Sequence, residues 1–201
     1  MFNIIVITPE TNHPHEEQIL DALIRVYGIT IHLRKPDFTE EQYRAYLNHY
    51  RSMLSHIVLH EHHTLAKEFS VKGIHLKESD RKSVTEIQKD VKIISTSLHN
   101  IKDAKNLSHA FEYIFYSPLF KSISKKNYGT NSNEHQLSST ITELKKHTDI
   151  PAIGLGGINE ENIVLVKNSG FDGAALLGTI WESEDPIAAF EKIHAFVVNS
   201  R

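Results

Sequence analysis

Short β-branched runs alternate with polar segments of helical period from one end of the sequence to the other. A parallel α/β fold requires that alternation, because every strand must be followed by a crossover that returns the chain to the same end of the sheet. The pattern predicts strands over 3–8, 29–34, 57–60, 73–76, 92–98, 113–119, 151–157 and 172–178. Helices are predicted over 15–27, 39–54, 64–69, 84–88, 101–110, 134–147, 160–168 and 185–198. Eight βα units in 201 residues is roughly 25 residues per unit, at the small end for a (β/α)8 barrel. The alternative, a doubly wound open sheet, lacks its glycine-rich turn after the first strand, where Thr8-Pro9-Glu10-Thr11-Asn12 stands. The expectation is an α/β protein, one small TIM-barrel domain over 1–201, with no dividing linker and no repeat beyond the βα rhythm.

Composition narrows the function classes. At 40% hydrophobic and 23% charged residues the chain suits a globular domain with a sizeable core. A net charge of −3 and a pI near 6.5 provide no basic field for nucleic acid or an anionic membrane, so any phosphate site must be local. The chain has no cysteine, which excludes disulfides, thiolate metal sites and cysteine nucleophiles. No run approaches the ~18 apolar residues of a membrane span, and Met1 to Thr8 carries no basic leader or small-residue cleavage site. The reading is a cytoplasmic protein. Histidine, at 14 residues, is the one excess, and it directs attention to metal or acid-base chemistry.

Candidate chemistry collects at the carboxyl ends of the predicted strands. Gly154-Leu155-Gly156-Gly157-Ile158-Asn159 follows the seventh strand and Gly178-Thr179 the eighth. Barrels bind phosphate between these two loops, where glycine lets backbone N–H groups approach the oxygens and a helix start adds its positive end. Here that helix is expected to be capped at Asn159. Arg34, Glu61, Asp80, Ser97, His99, Ser122, Ser124 and Lys125 lie at or just past other strand ends. Two carboxylates among cations suit Mg²⁺ and a diphosphate, because hard oxygen ligands hold that ion and cations neutralise a departing anion. The stretch 121–134, the longest irregular one, is the candidate lid. His60-Glu61-His62-His63 lacks the His-Glu-x-x-His spacing of a zinc helix, so a zinc reading is disfavoured. His75 is expected to be a hydrogen-bonded core histidine, Trp181 a packing residue, and Lys145-Lys146-His147 a solvated helix C-terminus.

Taken together, the residues resemble the family of thiamine phosphate synthase and its relative the thiazole tautomerase. The resemblance runs from His32-Leu33-Arg34 to Gly178. It rests on Gly73-Ile74-His75-Leu76 with Asp80, Ser97-Leu98-His99, Ser117-Pro118-Leu119-Phe120 with Ser122-Ile123-Ser124-Lys125, 151–158, and Gly170-Phe171-Asp172-Gly173. It implies a transferase that joins hydroxymethylpyrimidine diphosphate to thiazole phosphate and releases diphosphate, so the partners are small phosphorylated heterocycles, with a homo-oligomer open. By matching position, Glu61 and Asp80 would hold Mg²⁺, and Lys125, Arg34 and Ser97 would be catalytic. His32, His60, His99, Ser122, Ser124, Gly156, Gly157 and Gly178 would bind substrate.

Several positions depart from the family pattern. His32 stands for Gln, Pro36 for Lys with Lys35 adjacent as a partial substitute, and His60-Glu61-His62 for Asn-Asp-Arg. Lys77-Glu78-Ser79-Asp80 stands for Gly-Gln-Glu-Asp. These changes surround the pyrimidine half of the site and leave the thiazole phosphate half nearly intact. A tautomerase would need only the thiazole half, but Ser117 stands where its histidine is expected, so its acid-base group would have to be His99 or His60. A non-catalytic phosphate-ligand binder and a metal-dependent hydrolase built on the histidines also remain open.

Overall fold

The computed structural model describes residues 2–84, 91–121 and 132–200. Its strands are β1 (Asn3–Ile7), β2 (Thr30–Leu33), β3 (Ile57–Leu59), β4 (Gly73–Leu76), β5 (Ile93–Leu98), β6 (Tyr113–Tyr116), β7 (Ala152–Leu155) and β8 (Gly173–Leu176). Each pairs in parallel with the next, and β8 pairs back onto β1 from Asn3↔Gly173 to Val6↔Leu176, which closes the barrel in sequence order.

The two-residue period of each strand sorts its side chains into two cores. Val6, Ile31, Leu33, Leu59, Ile74 and Ile94 face outward and merge with Leu20, Leu23, Leu47, Ile163 and Phe190 from the helices. Ile5, Ile7, Phe115, Ile153 and Ala175 form a smaller cluster inside the barrel. Against Phe115 lie the rings of His32 and His75, at 4.6 and 4.9 Å between centroids. The interior is therefore apolar on the β1, β7 and β8 side and hydrogen-bonding on the β2 to β5 side.

The crossovers include α1 (Glu16–Tyr27), α2 (Glu40–His49), α3 (Leu65–Phe69), α4 (Glu134–Lys145), α5 (Ile163–Asn168), α6 (Gly178–Trp181) and α7 (Pro186–Asn199). Capping fixes two of the starts. Thr39 and Gln42 form a reciprocal capping box at α2, as Asn133 and Gln136 do at α4.

Several predicted helices come out shorter or tighter. The 39–54 segment is α2 followed by a 3-10 helix over Arg51–His56, and 101–110 is a 3-10 helix over Ile101–Asn106. Both are short spans, and 3-10 turns commonly serve as connectors of this kind. Past β4 the chain forms a 3-10 helix over Glu78–Ser83, and most of the helix expected over 84–88 lies outside the described residues. The helix expected from 160 begins at Ile163, because the Asn162 side chain turns back to accept a hydrogen bond from Asn159 N at 2.9 Å. Trp181 packs as expected, its Nε1 donating to the Ile7 carbonyl at 2.7 Å. Lys145 and Lys146 pair with Asp172 and Glu143 at the end of α4.

Candidate active site

A cleft of about 410 Å³ opens at the C-terminal mouth of the barrel. It is lined by Arg34, His60, Ser97, His99, Gly156, Gly157 and Gly178, and also by Glu10, His75, Lys77, Phe115 and Thr179. A larger cavity of about 850 Å³ lies at the opposite end, among Tyr27, Lys72, Tyr113, Lys167 and His194. Of the predicted strand-end groups Arg34, Ser97 and His99 line the C-terminal cleft, the end at which barrels of this kind carry their chemistry, and Glu61 and Asp80 do not.

One wall is the pair of loops after β7 and β8. Gly156 and Gly157 have φ of 104° and 64°, the left-handed region that favours glycine. At Gly157 a Cβ would lie 2.1 Å from the Lys121 carbonyl oxygen, so the backbone approach there leaves no room for a side chain. Thr179 Oγ1 donates to the Ile158 carbonyl and ties the two loops together. The helix start expected to add its field from Asn159 is displaced to Ile163. The short α6, starting at Gly178 itself, stands at the cleft instead.

The opposite wall carries charge. Arg34 Nη1 pairs with Glu10 at 2.5 Å, and its backbone N donates to Thr8 Oγ1 at 2.9 Å. Lys77, 62% exposed, lies 3.9 Å from Glu61 Oε1. Glu61 does not line the cleft directly. Its Oε2 accepts from Tyr43 Oη at 2.6 Å and from Lys35 N at 3.3 Å, while Oε1 is buried with no hydrogen-bond partner. Asp80 Oδ1 accepts from Ser79 Oγ at 2.8 Å. Both carboxylates act electrostatically on the intervening His63 imidazole, which burial holds below its ordinary basicity.

Lys35 does not substitute for a cation at position 36. Its side chain is fully buried, and Nζ donates to Glu16 Oε2 and to the Thr11 carbonyl, each at 2.9 Å. Strand parity explains this: Arg34 turns toward the cleft, so its neighbour turns toward α1 and α2.

The cleft floor is made of histidines. His60 and His75 stack with centroids 4.3 Å apart, and His32 lies beneath them with no exposed surface. His32 therefore does not line the cleft as a substrate contact; it supports the cleft-lining His60, His75 and Phe115 from beneath. Burial first, then the neighbouring imidazoles, holds His32 and His60 well below the ordinary histidine pKa. His75 is lowered to about 3 by burial, with His63, Arg34 and Arg81 adding to it. His75 is a hydrogen-bonded core histidine, as expected, and it also lines the cleft. The run 60–63 does not converge on one point. His62 bonds the Phe38 carbonyl at 2.8 Å and His63 the carbonyls of His60 and His75 at 3.0 and 3.1 Å. At the cleft edge His99 Nδ1 donates to the Ser117 carbonyl at 3.0 Å.

Ser122, Ser124 and Lys125, with most of the candidate lid, lie outside the described residues. Lys77 was not singled out as a site residue from sequence, although its place directly after β4 is the signal that marks the others.

A closed (β/α)8 barrel with a glycine-walled, cation-lined cleft at its C-terminal mouth defines a class of enzymes acting on small phosphorylated substrates. The family model for thiamine monophosphate synthase matches residues 4–180, and the chain belongs to that family. A thiamine-phosphate synthase of Clostridium tetani is 30% identical over 143 residues, covering 70% of this chain and 66% of that protein. The crystal structure of thiamine phosphate pyrophosphorylase from Bacteroides thetaiotaomicron superposes with a TM-score of 0.77 at 27% identity, over 100% of both chains. That from Pyrococcus furiosus superposes with a TM-score of 0.78 at 19% identity, over 99% of this chain and 96% of that one, which bears on the fold alone.

Proposed function

We propose that this protein joins hydroxymethylpyrimidine diphosphate to thiazole phosphate and releases diphosphate. The observation that carries the reading is the cleft itself, in which the glycine wall of Gly156, Gly157 and Gly178 faces Arg34 and Lys77 across about 410 Å³. The glycine wall suits the thiazole phosphate, which takes backbone N–H groups and needs no side-chain cation. The Arg34 and Lys77 wall suits the diphosphate.

In this reaction the C–O bond to diphosphate breaks with its electron pair leaving on the phosphate oxygen. The pyrimidine-stabilised cation is then captured by the thiazole nitrogen. No nucleophilic side chain is required; the protein aligns two substrates and stabilises the charge on the leaving group. Arg34, Lys77 and Lys125 supply positive charge, with Lys77 compensating for the cation that Pro36 removes and Lys35 does not restore. Ser97, Ser122 and Ser124 offer hydroxyls to the substrates. His60 and His99 offer ring nitrogens, and His32 positions His60.

Glu61 and Asp80 fit a magnesium ion. Oxygen donors suit a hard cation, and Glu61 Oε1 is a buried carboxylate oxygen that no hydrogen bond satisfies. Bound there, Mg²⁺ would neutralise diphosphate oxygens, as magnesium held by one or two carboxylates commonly does. Cytoplasmic location fits such a reaction, and no helix among the described residues is long and apolar enough to cross a membrane. The test is turnover of the two substrates with Mg²⁺, followed by diphosphate release and by formation of thiamine phosphate. Saturable binding of both substrates without product would overturn the reading in favour of a binder.

A further inference from the structure

Among the described residues one group of three side chains has the spacing to hold a metal ion: His32, His60 and His75, whose ligand atoms all lie within 4.8 Å of one another. It is not the contiguous histidine run visible in the sequence. Its members come from β2, the residue after β3, and β4, and meet only because these strands are neighbours in the closed barrel.

Six ring nitrogens are present and five have protein partners. His32 Nδ1 and His60 Nε2 share a hydrogen bond of 2.8 Å. His32 Nε2 and Tyr113 Oη lie 2.6 Å apart, while His75 Nδ1 and Nε2 meet Ser95 Oγ at 2.8 Å and Ser97 Oγ at 2.9 Å. The sixth, His60 Nδ1, has no hydrogen-bond partner among the described residues, and His60 lines the cleft. This arrangement supplies two things a metal needs. Hydroxyls orient the rings of His32 and His75, the kind of support that fixes ring rotation around bound metals. His60 and His75 line the cleft, which gives an ion a route of entry.

We infer that His32, His60 and His75 bind a divalent d-block cation of the zinc type, with its open coordination position facing the cleft. An all-imidazole set selects such ions over magnesium, which takes oxygen ligands. The His32–His60 pair already aims two nitrogens at one proton. Two nitrogens on a tetrahedral zinc sit about 3.4 Å apart, so the pair opens by about half an ångström when the metal replaces that proton. His75 turns out of its stack on His60, gives up one serine hydrogen bond and keeps the other. The site is separate from the Glu61 and Asp80 carboxylates and does not depend on the proposed reaction.

The test is titration of the metal-stripped full chain with Co²⁺ and no substrate, read by visible d–d absorption and by equilibrium dialysis. One tightly bound ion per chain with the intense absorption of a four-coordinate site is expected. Affinity should fall by more than about tenfold in His75→Gln and in His60→Asn, and by about tenfold in Tyr113→Phe, which keeps all three rings and removes only an orienting hydroxyl. Circular dichroism confirms that each variant is folded, and Tyr113→Phe stands as the mildest change should a ring variant unfold. Glu61→Gln, His49→Ala and His62→Ala should bind as the parent does. Absence of saturable binding, or loss of binding in the His49 or His62 variants and not in those at His60 and His75, would overturn the inference.

Discussion

Tyr43 Oη donates to Glu61 Oε2 at 2.6 Å, and the other oxygen of that carboxylate is buried without a hydrogen-bond partner, 3.9 Å from Lys77 Nζ. The same hydroxyl lies 3.2 Å from the Leu33 carbonyl and 3.1 Å from the Lys35 backbone N. Burial, then the Glu61 charge, pushes the phenol well above its ordinary pKa, so it stays a donor at every physiological pH. A residue of α2 thus aims a carboxylate that follows β3, leaving Oε1 for a cation.

Tyr43→Phe should therefore raise the Mg²⁺ concentration needed for half-maximal turnover several-fold and leave kcat at saturating Mg²⁺ little changed. It should also cost about 1.5–3 kcal/mol of stability, the worth of a hydrogen bond to a charged group. Magnesium titrations of turnover and urea denaturation measure the two effects. An unchanged magnesium profile would remove Tyr43 from the role of positioning Glu61.

Asp80 sits on the exposed 3-10 turn after β4, outside both cores. Asp80→Asn is nearly isosteric and should leave the melting temperature within about a degree, since surface changes fall within about ±0.5 kcal/mol. Turnover at limiting Mg²⁺ should drop at least about tenfold and recover partly at high Mg²⁺. Retention of full activity at limiting metal would show that Asp80 does not hold it.

Gly178→Val should place a branched side chain at the start of α6, against the glycine wall. Calorimetry should show a loss of affinity for thiazole phosphate far larger than for the unphosphorylated alcohol, because only the phosphate needs the backbone approach. Equal losses for both ligands would assign Gly178 to packing. At Gly157 the comparison is not clean: a Cβ there would collide with the Lys121 carbonyl oxygen, so any side chain disturbs the backbone as well.

Acid should destabilise the fold through the buried histidines. In the unfolded chain each imidazole binds a proton as pH falls through about 6.5, whereas His32, His60 and His75 resist protonation in the fold, His75 down to about 3. The unfolded state binds more protons in this window, so stability is full above about pH 6.5 and falls as pH drops toward 3. Each buried imidazole contributes up to about 1.4 kcal/mol per pH unit. Urea denaturation at pH 7, 6 and 5 should show the decline, and His75→Gln should make it shallower. A pH-independent midpoint would contradict the burial of neutral rings.

The strand count, the barrel and the glycine wall were legible in the sequence because each depends on local order. Short apolar, β-branched runs such as Asn3–Ile7 mark strands wherever they fall, and Gly156-Gly157 announces a backbone that side chains would obstruct. The placement of Arg34, Ser97 and His99 at one cleft follows from the same logic, since all parallel strands end at the same mouth. The shortened helices were not legible, because the difference between an α-helix and a 3-10 connector over 101–106 lies in packing and not in local propensity.

The partners of the buried polar groups were decided by tertiary structure alone. Lys35 and Pro36 are adjacent in sequence, so a lysine one residue off looks like a substitute; in the barrel one step reverses the side chain and commits Lys35 to Glu16 beneath α1. Glu61 reads in the sequence as a strand-end carboxylate, and only the fold brings Tyr43 of α2 onto it. His32 and His60, 28 residues apart, read separately as altered substrate contacts. Barrel closure turns both inward onto His75, because inward positions of neighbouring strands have nowhere else to point.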